Sequence, residues 1–245
     1  MGWGVLDQFT GFRHPGKRSG KHEEAFPVYG EEWLPWMGIV FGVLVSGFYF
    51  PFGVLFLPSD VALAAVMLWQ GALTGFRGER GFVWLYGENE PTEGARSVRI
   101  ALLVLALLFK YMLLRAWFPE EGGRLLFLGG ICYYTAPVLL AGKLGDQQER
   151  WLGRRWRKAA VWQAWLVWVG AVCLVLWGRA LKGMSYDGLL LVFAVIGMVA
   201  VVQWYVSAVI REKQEETSGE VIMSASFLSE ITLYGTILVA RQLLF

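Results

Sequence analysis

Residues 188–210 read GLLLVFAVIGMVAVVQWYVSAVI, an unbroken run of 23 residues without Asp, Glu, Lys or Arg. A hydrocarbon core about 30 Å thick takes roughly 20 residues of helix, and lipid offers no hydrogen-bond partner to a free backbone amide. The run therefore predicts a membrane-crossing helix. Working outward, residues 33–57, 61–76, 125–142 and 159–178 are equally free of charge. Residues 100–118 are apolar apart from Lys110 and Arg115, and residues 221–240 apart from Glu230. The expectation is an all-α, polytopic integral membrane bundle of about seven transmembrane helices. It comprises a polar amino-terminal segment, 1–32, and a single seven-helix membrane domain, 33–245.

Composition points the same way. With 56% hydrophobic residues and a mean hydropathy of +0.47, a soluble protein of this size would be coated in apolar surface. The 30 glycines suit helices that approach closely in lipid. A net charge of +2 argues against a general nucleic-acid binder. Cys132 and Cys173 both fall inside apolar runs, where they read as small buried hydrophobes. His14 and His22 are too few and too far apart for a metal site, and no apolar core of a cleavable signal peptide precedes Trp33.

Seven crossings alternate the loops between two faces. One face then receives 16 of the Lys and Arg residues and the other 6. The positive-inside rule puts the richer face, and with it the amino terminus, in the cytoplasm. The expected home is the cytoplasmic (inner) membrane of a bacterium or archaeon. The run 61–76 is short for a crossing, but treating it as re-entrant would erase most of the charge asymmetry.

Charge at membrane depth is where chemistry is expected, since an Asp, Lys or Arg at mid-bilayer costs roughly 2.5–3.5 kcal/mol even on the lenient insertion scale. Glu230 sits ten residues into the last run, among Ser224, Ser226 and Ser229. Two readings stand: a ligand for an ion, proton or magnesium facing a cavity, or a hydrogen-bonded acid pinning helices together. Lys110 and Arg115 are expected to snorkel to the outer interface. Trp162, Trp165 and Trp168 recur at i, i+3 and predict an aromatic ridge, either for helix packing or for another subunit of a membrane complex. The basic run 150–158, with Trp151 and Trp156 interleaved, suits anionic lipid. Membrane lipids are the expected surroundings throughout.

Several segments, taken in order, resemble the cobalamin synthase family, membrane enzymes of the adenosylcobinamide-GDP ribazoletransferase type. They are Phe9-Thr10-Gly11-Phe12-Arg13-His14-Pro15, Leu34-Pro35-Trp36-Met37-Gly38-Ile39-Val40-Phe41-Gly42 and Leu73-Thr74-Gly75. Ala136-Pro137-Val138-Leu139, Thr217-Ser218-Gly219-Glu220 and Leu228-Ser229-Glu230 complete the set. After Leu-Thr-Gly the family carries a His-x-Asp-Gly-x-Ala-Asp-x-x-Asp cluster. Here the chain runs Phe76-Arg77-Gly78-Glu79-Arg80-Gly81-Phe82, with every Asp gone, and the later Asp-Ser-Arg motif reads Thr92-Glu93-Gly94.

The resemblance implies a magnesium-dependent transfer of the cobinamide phosphate moiety of adenosylcobinamide-GDP to alpha-ribazole or its phosphate, releasing GMP. Glu79, Glu88 and Glu220 would be the metal ligands, with Glu90 and Glu93 in the same cytoplasmic loop as Glu79 and Glu88. Glu220 and Glu230 would be the catalytic acids. Loss of the acid cluster implies the alternative, an inactive homologue serving as a structural or assembly subunit of a larger membrane complex.

Overall fold

The computed structural model describes residues 33–51, 58–86, 93–117, 121–144, 158–177, 186–212 and 219–244. The amino-terminal segment 1–32, Glu88, Glu90 and most of the basic run 150–158 lie outside the described residues. Among the described residues the chain is helical, with no strand. The helices are α1 (Leu34–Phe50), α2 (Ser59–Thr74), α3 (Arg77–Tyr86), α4 (Glu93–Arg115), α5 (Gly122–Leu144), α6 (Lys158–Val172), α7 (Tyr186–Glu212) and α8 (Gly219–Leu244). A π-helical turn, Cys173–Trp177, extends α6.

Five described stretches are long and apolar enough to cross a membrane: Ser97–Arg115, Gly122–Leu144, Lys158–Leu176, Gly188–Glu212 and Ile222–Ala240. This is the architecture of a helical membrane bundle. α1, at 17 residues, is apolar but shorter.

α5 is the axis. In its most apolar window 89% of residues are buried, against 17% for α4 at the periphery. α4 accordingly exposes Ile100, Val104, Leu105, Leu108, Phe109 and Met112, an apolar face suited to lipid. Small residues let α1 lie directly on α5. A Cβ on Gly42 would meet the Phe127 carbonyl oxygen at 2.6 Å, and one on Gly130 would meet the Gly42 Cα at 2.5 Å. Backbone contact of this kind replaces the hydrophobic drive that lipid cannot supply.

The helix ends pair off. Arg115, closing α4, binds Asp60, opening α2, at 2.9 Å. Arg211, closing α7, donates to the carbonyl of Lys143, closing α5, at 2.7 Å. The expected Trp162/Trp165/Trp168 ridge does not form one surface. Successive steps of three residues rotate about 60° around a helix. Trp162 is exposed, Trp165 half-buried and Trp168 fully buried.

Candidate functional site

The apolar run 61–76 ends in a Schellman turn. Gly75 takes the left-handed conformation (φ 60), its N–H bonding Ala72 O, while the N–H of Phe76 bonds Gly71 O at 2.9 Å. Phe76 also has φ 53, which strains a side chain that is not glycine. The chain does not then enter a loop, as the charges Arg77, Glu79 and Arg80 led us to expect. It restarts as α3, with the Phe76 carbonyl accepting the N–H of Arg80 at 2.9 Å.

α3 packs against α8. Gly78 faces Phe227, and Phe82 stacks obliquely on the same ring at 5.4 Å between centroids. Gly78 has no room for a Cβ, which would lie 2.9 Å from the Tyr133 ring. Its N–H instead donates to the Tyr133 hydroxyl at 2.9 Å, serving one of the free amides of the new helix. Thus the chain breaks between α2 and α3, and α4, α5 and α8 bring side chains to that break.

At this break lies a closed polar network. The Lys110 ammonium, from α4, donates to Glu230 Oε2 of α8 at 2.8 Å and to Gln70 Oε1 of α2 at 3.0 Å. It also lies 5.8 Å from the centroid of the Phe227 ring. Gln70 Nε2 and the Tyr234 hydroxyl both donate to Glu230 Oε1, at 2.8 and 2.7 Å. Lys110 and Glu230 are 1% and 0% exposed. The expectation that Lys110 snorkels outward is therefore corrected. An opposite charge within reach inside the bundle outcompetes the more distant interface, because low dielectric strengthens the pairing. Arg115, one and a half turns farther on, does reach the edge, where it is exposed with Asp60.

Glu79 stands beside the pair. It is 2% exposed, its Oε2 has no hydrogen-bond partner, and Lys110 and Glu230 both act on it electrostatically. The expectation of Glu79 in a loop is corrected: it occupies the first turn of a helix, on that helix's buried side.

Of the acids that the resemblance implies as a magnesium set, only the side chain of Glu79 lies among those described. Magnesium needs several convergent oxygen ligands, and among the described residues no three His, Cys, Asp or Glu side chains converge. Both oxygens of Glu230 are engaged by Lys110, Gln70 and Tyr234, and the ammonium beside Glu79 repels a dication. Glu88 lies outside the described residues, as do the side chains of Glu93 and Glu220. Glu220 lies in the first turn of α8, ten residues before Glu230, about 15 Å along the axis.

Sequence reasoning missed Gln70, Tyr133 and Tyr234. The pairing of Lys110 did leave a signal. Lys110 and Glu230 are the deepest charges of the two charged apolar runs, eight and ten residues from the carboxyl-terminal ends of those runs. At 1.5 Å per residue that is about 12 and 15 Å, nearly the same depth. No family model matches the chain, and neither does any curated protein or solved structure.

Proposed function

We propose that the chain is a seven-crossing membrane protein of a bacterial or archaeal cytoplasmic membrane. On this reading α2 and α3 together make one discontinuous crossing, and the protein is a carrier working through the charge centre at the break. The single observation behind it is the buried Lys110–Glu230 pair with the partnerless Glu79 oxygen at an interrupted helix. Ionisable side chains inside a membrane mark ion or proton routes, and discontinuous helices recur at the binding sites of carriers. The end pairs support the crossing: α2 starts beside the end of α4, whereas Tyr86 at the end of α3 bonds Tyr205, two turns before the end of α7.

The test uses purified protein in liposomes loaded with a pH-sensitive dye, under a potassium diffusion potential. Wild type moves protons, and Glu230→Gln abolishes the flux. A proton-tight wild type would overturn the carrier reading.

One observation favours a second reading, an assembly subunit. Lys110 and Glu230 bond one another and are held by Gln70 and Tyr234, which suits a pin holding the peripheral α4 to the bundle. Mild detergent extraction then yields stoichiometric partners, and a lone chain counts against it. The transferase reading rests on the ordered likeness alone. Its test is magnesium-dependent turnover of adenosylcobinamide-GDP with alpha-ribazole phosphate, lost in Glu220→Ala.

A further inference from the structure

We propose that Glu79 carries a dissociable proton, and that Lys110 is a single counter-ion shared between two carboxylates. Proton release from Glu79 would move the ammonium off Glu230. The inference rests on the same centre as the carrier reading and names the group that exchanges the proton.

Charge balance carries the first half. From α8 the groups facing Glu79 are Glu230 and, through it, Tyr234; from α4, Lys110; from α5, Tyr133. α2 brings only the neutral Gln70 and Thr74 to the break, and Arg80 on Glu79's own helix is exposed and acts from farther out. One ammonium faces two carboxylates, and it already sits at 2.8 Å from Glu230. A second full negative charge on a buried group whose Oε2 has no donor would be uncompensated. A proton on Glu79 removes that charge.

Hydrogen bonding carries the second half. If Lys110 leaves, Glu230 keeps two neutral donors on Oε1, Gln70 Nε2 and the Tyr234 hydroxyl. Lys110 in turn keeps Gln70 Oε1 and the Phe227 ring as it swings. Gln70 is thus a pivot that touches both members of the pair in the observed state. Glu79 itself lies in the first turn of α3, where free backbone amides favour a carboxylate once it forms. In the release step the O–H bond of the Glu79 carboxyl breaks, the electron pair stays on the carboxylate and the proton passes to water. No electron changes hands.

Infrared spectroscopy of the purified full chain in lipid nanodiscs tests this through the carbonyl stretch of protonated carboxyls. Wild type at neutral pH gives one such band, lost as pH is raised. Glu79→Gln removes it, and Glu79→Asp shifts it. Glu230→Gln also removes it, because the freed Lys110 turns to Glu79 and ionises it. Lys110→Met leaves two neutral acids and a band about twice as large. A band surviving Glu79→Gln, or no band in wild type, would overturn the inference. Retention of the band in a folded Glu230→Gln protein would overturn the shared counter-ion. Proton-tight liposomes together with a Glu79 band would remove the carrier reading and leave this one standing.

Discussion

Lys110 and Glu230 are each buried and lie 2.8 Å apart, so the expense of burying either depends on the other. Removing one partner of a buried pair leaves an uncompensated ion and costs about 3–5 kcal/mol, while removing both is far less damaging. Lys110→Met should therefore lower the thermal stability of the purified protein strongly, and Glu230→Gln less, because Lys110 then turns to Glu79. The double variant should recover much of the loss. Equal or additive losses in a double-mutant cycle would contradict the pairing. Gly129 belongs to the same centre, because a Cβ there would collide with the Tyr234 hydroxyl and lie 3.0 Å from Glu230 Oε1. Gly129→Ala should destabilise by about 1–3 kcal/mol. Tyr234→Phe should add little in that background, since the alanine has already displaced the hydroxyl. Thermal unfolding of the four proteins checks this.

Between α2 and α3 the chain turns through two consecutive left-handed residues. A left-handed conformation costs a residue with a Cβ about 1–2 kcal/mol. Gly75→Ala should be destabilising by that amount and Gly75→Asn by less, measured by denaturation in detergent. Indifference to alanine would mean that Gly75 does not need its positive φ. Where α1 meets α5 the constraint is steric rather than conformational. Gly42→Leu must drive its side chain into the Phe127 backbone. It should separate the two helices and lower the melting temperature by several degrees, whereas Gly47→Leu, with open space around its Cβ position, should not.

The bundle as a body has two ends, one marked by Asp60 and Arg115, the other by Lys143 and Arg211. If α2 and α3 together traverse the lipid, single cysteines at positions 60 and 211, in a background without Cys132 and Cys173, react with an impermeant thiol reagent from opposite sides. Labelling of both from one side would remove the seven-crossing arrangement. The surface between the ends is apolar and broad on α4, α6 and α7, consistent with lipid around a core built on α5.

Membrane residence and helical class were legible in the residues because both are local properties: length, apolarity and the absence of charge over a crossing distance. Glu230 was legible as a site for the same reason, since one acid in an apolar run is anomalous wherever the run packs. The identity of its partners was not. Lys110, Gln70 and Tyr234 reach Glu230 from positions 120, 160 and 4 residues away, so two of the three contacts exist only through the packing of α2, α4 and α8. α3 is the sharpest case. Arg77-Gly78-Glu79-Arg80-Gly81 has the composition of a loop, and its two glycines lower its helical tendency. Burial against Phe227 and Tyr133 is what makes it a helix, and that contact is a property of the assembled bundle.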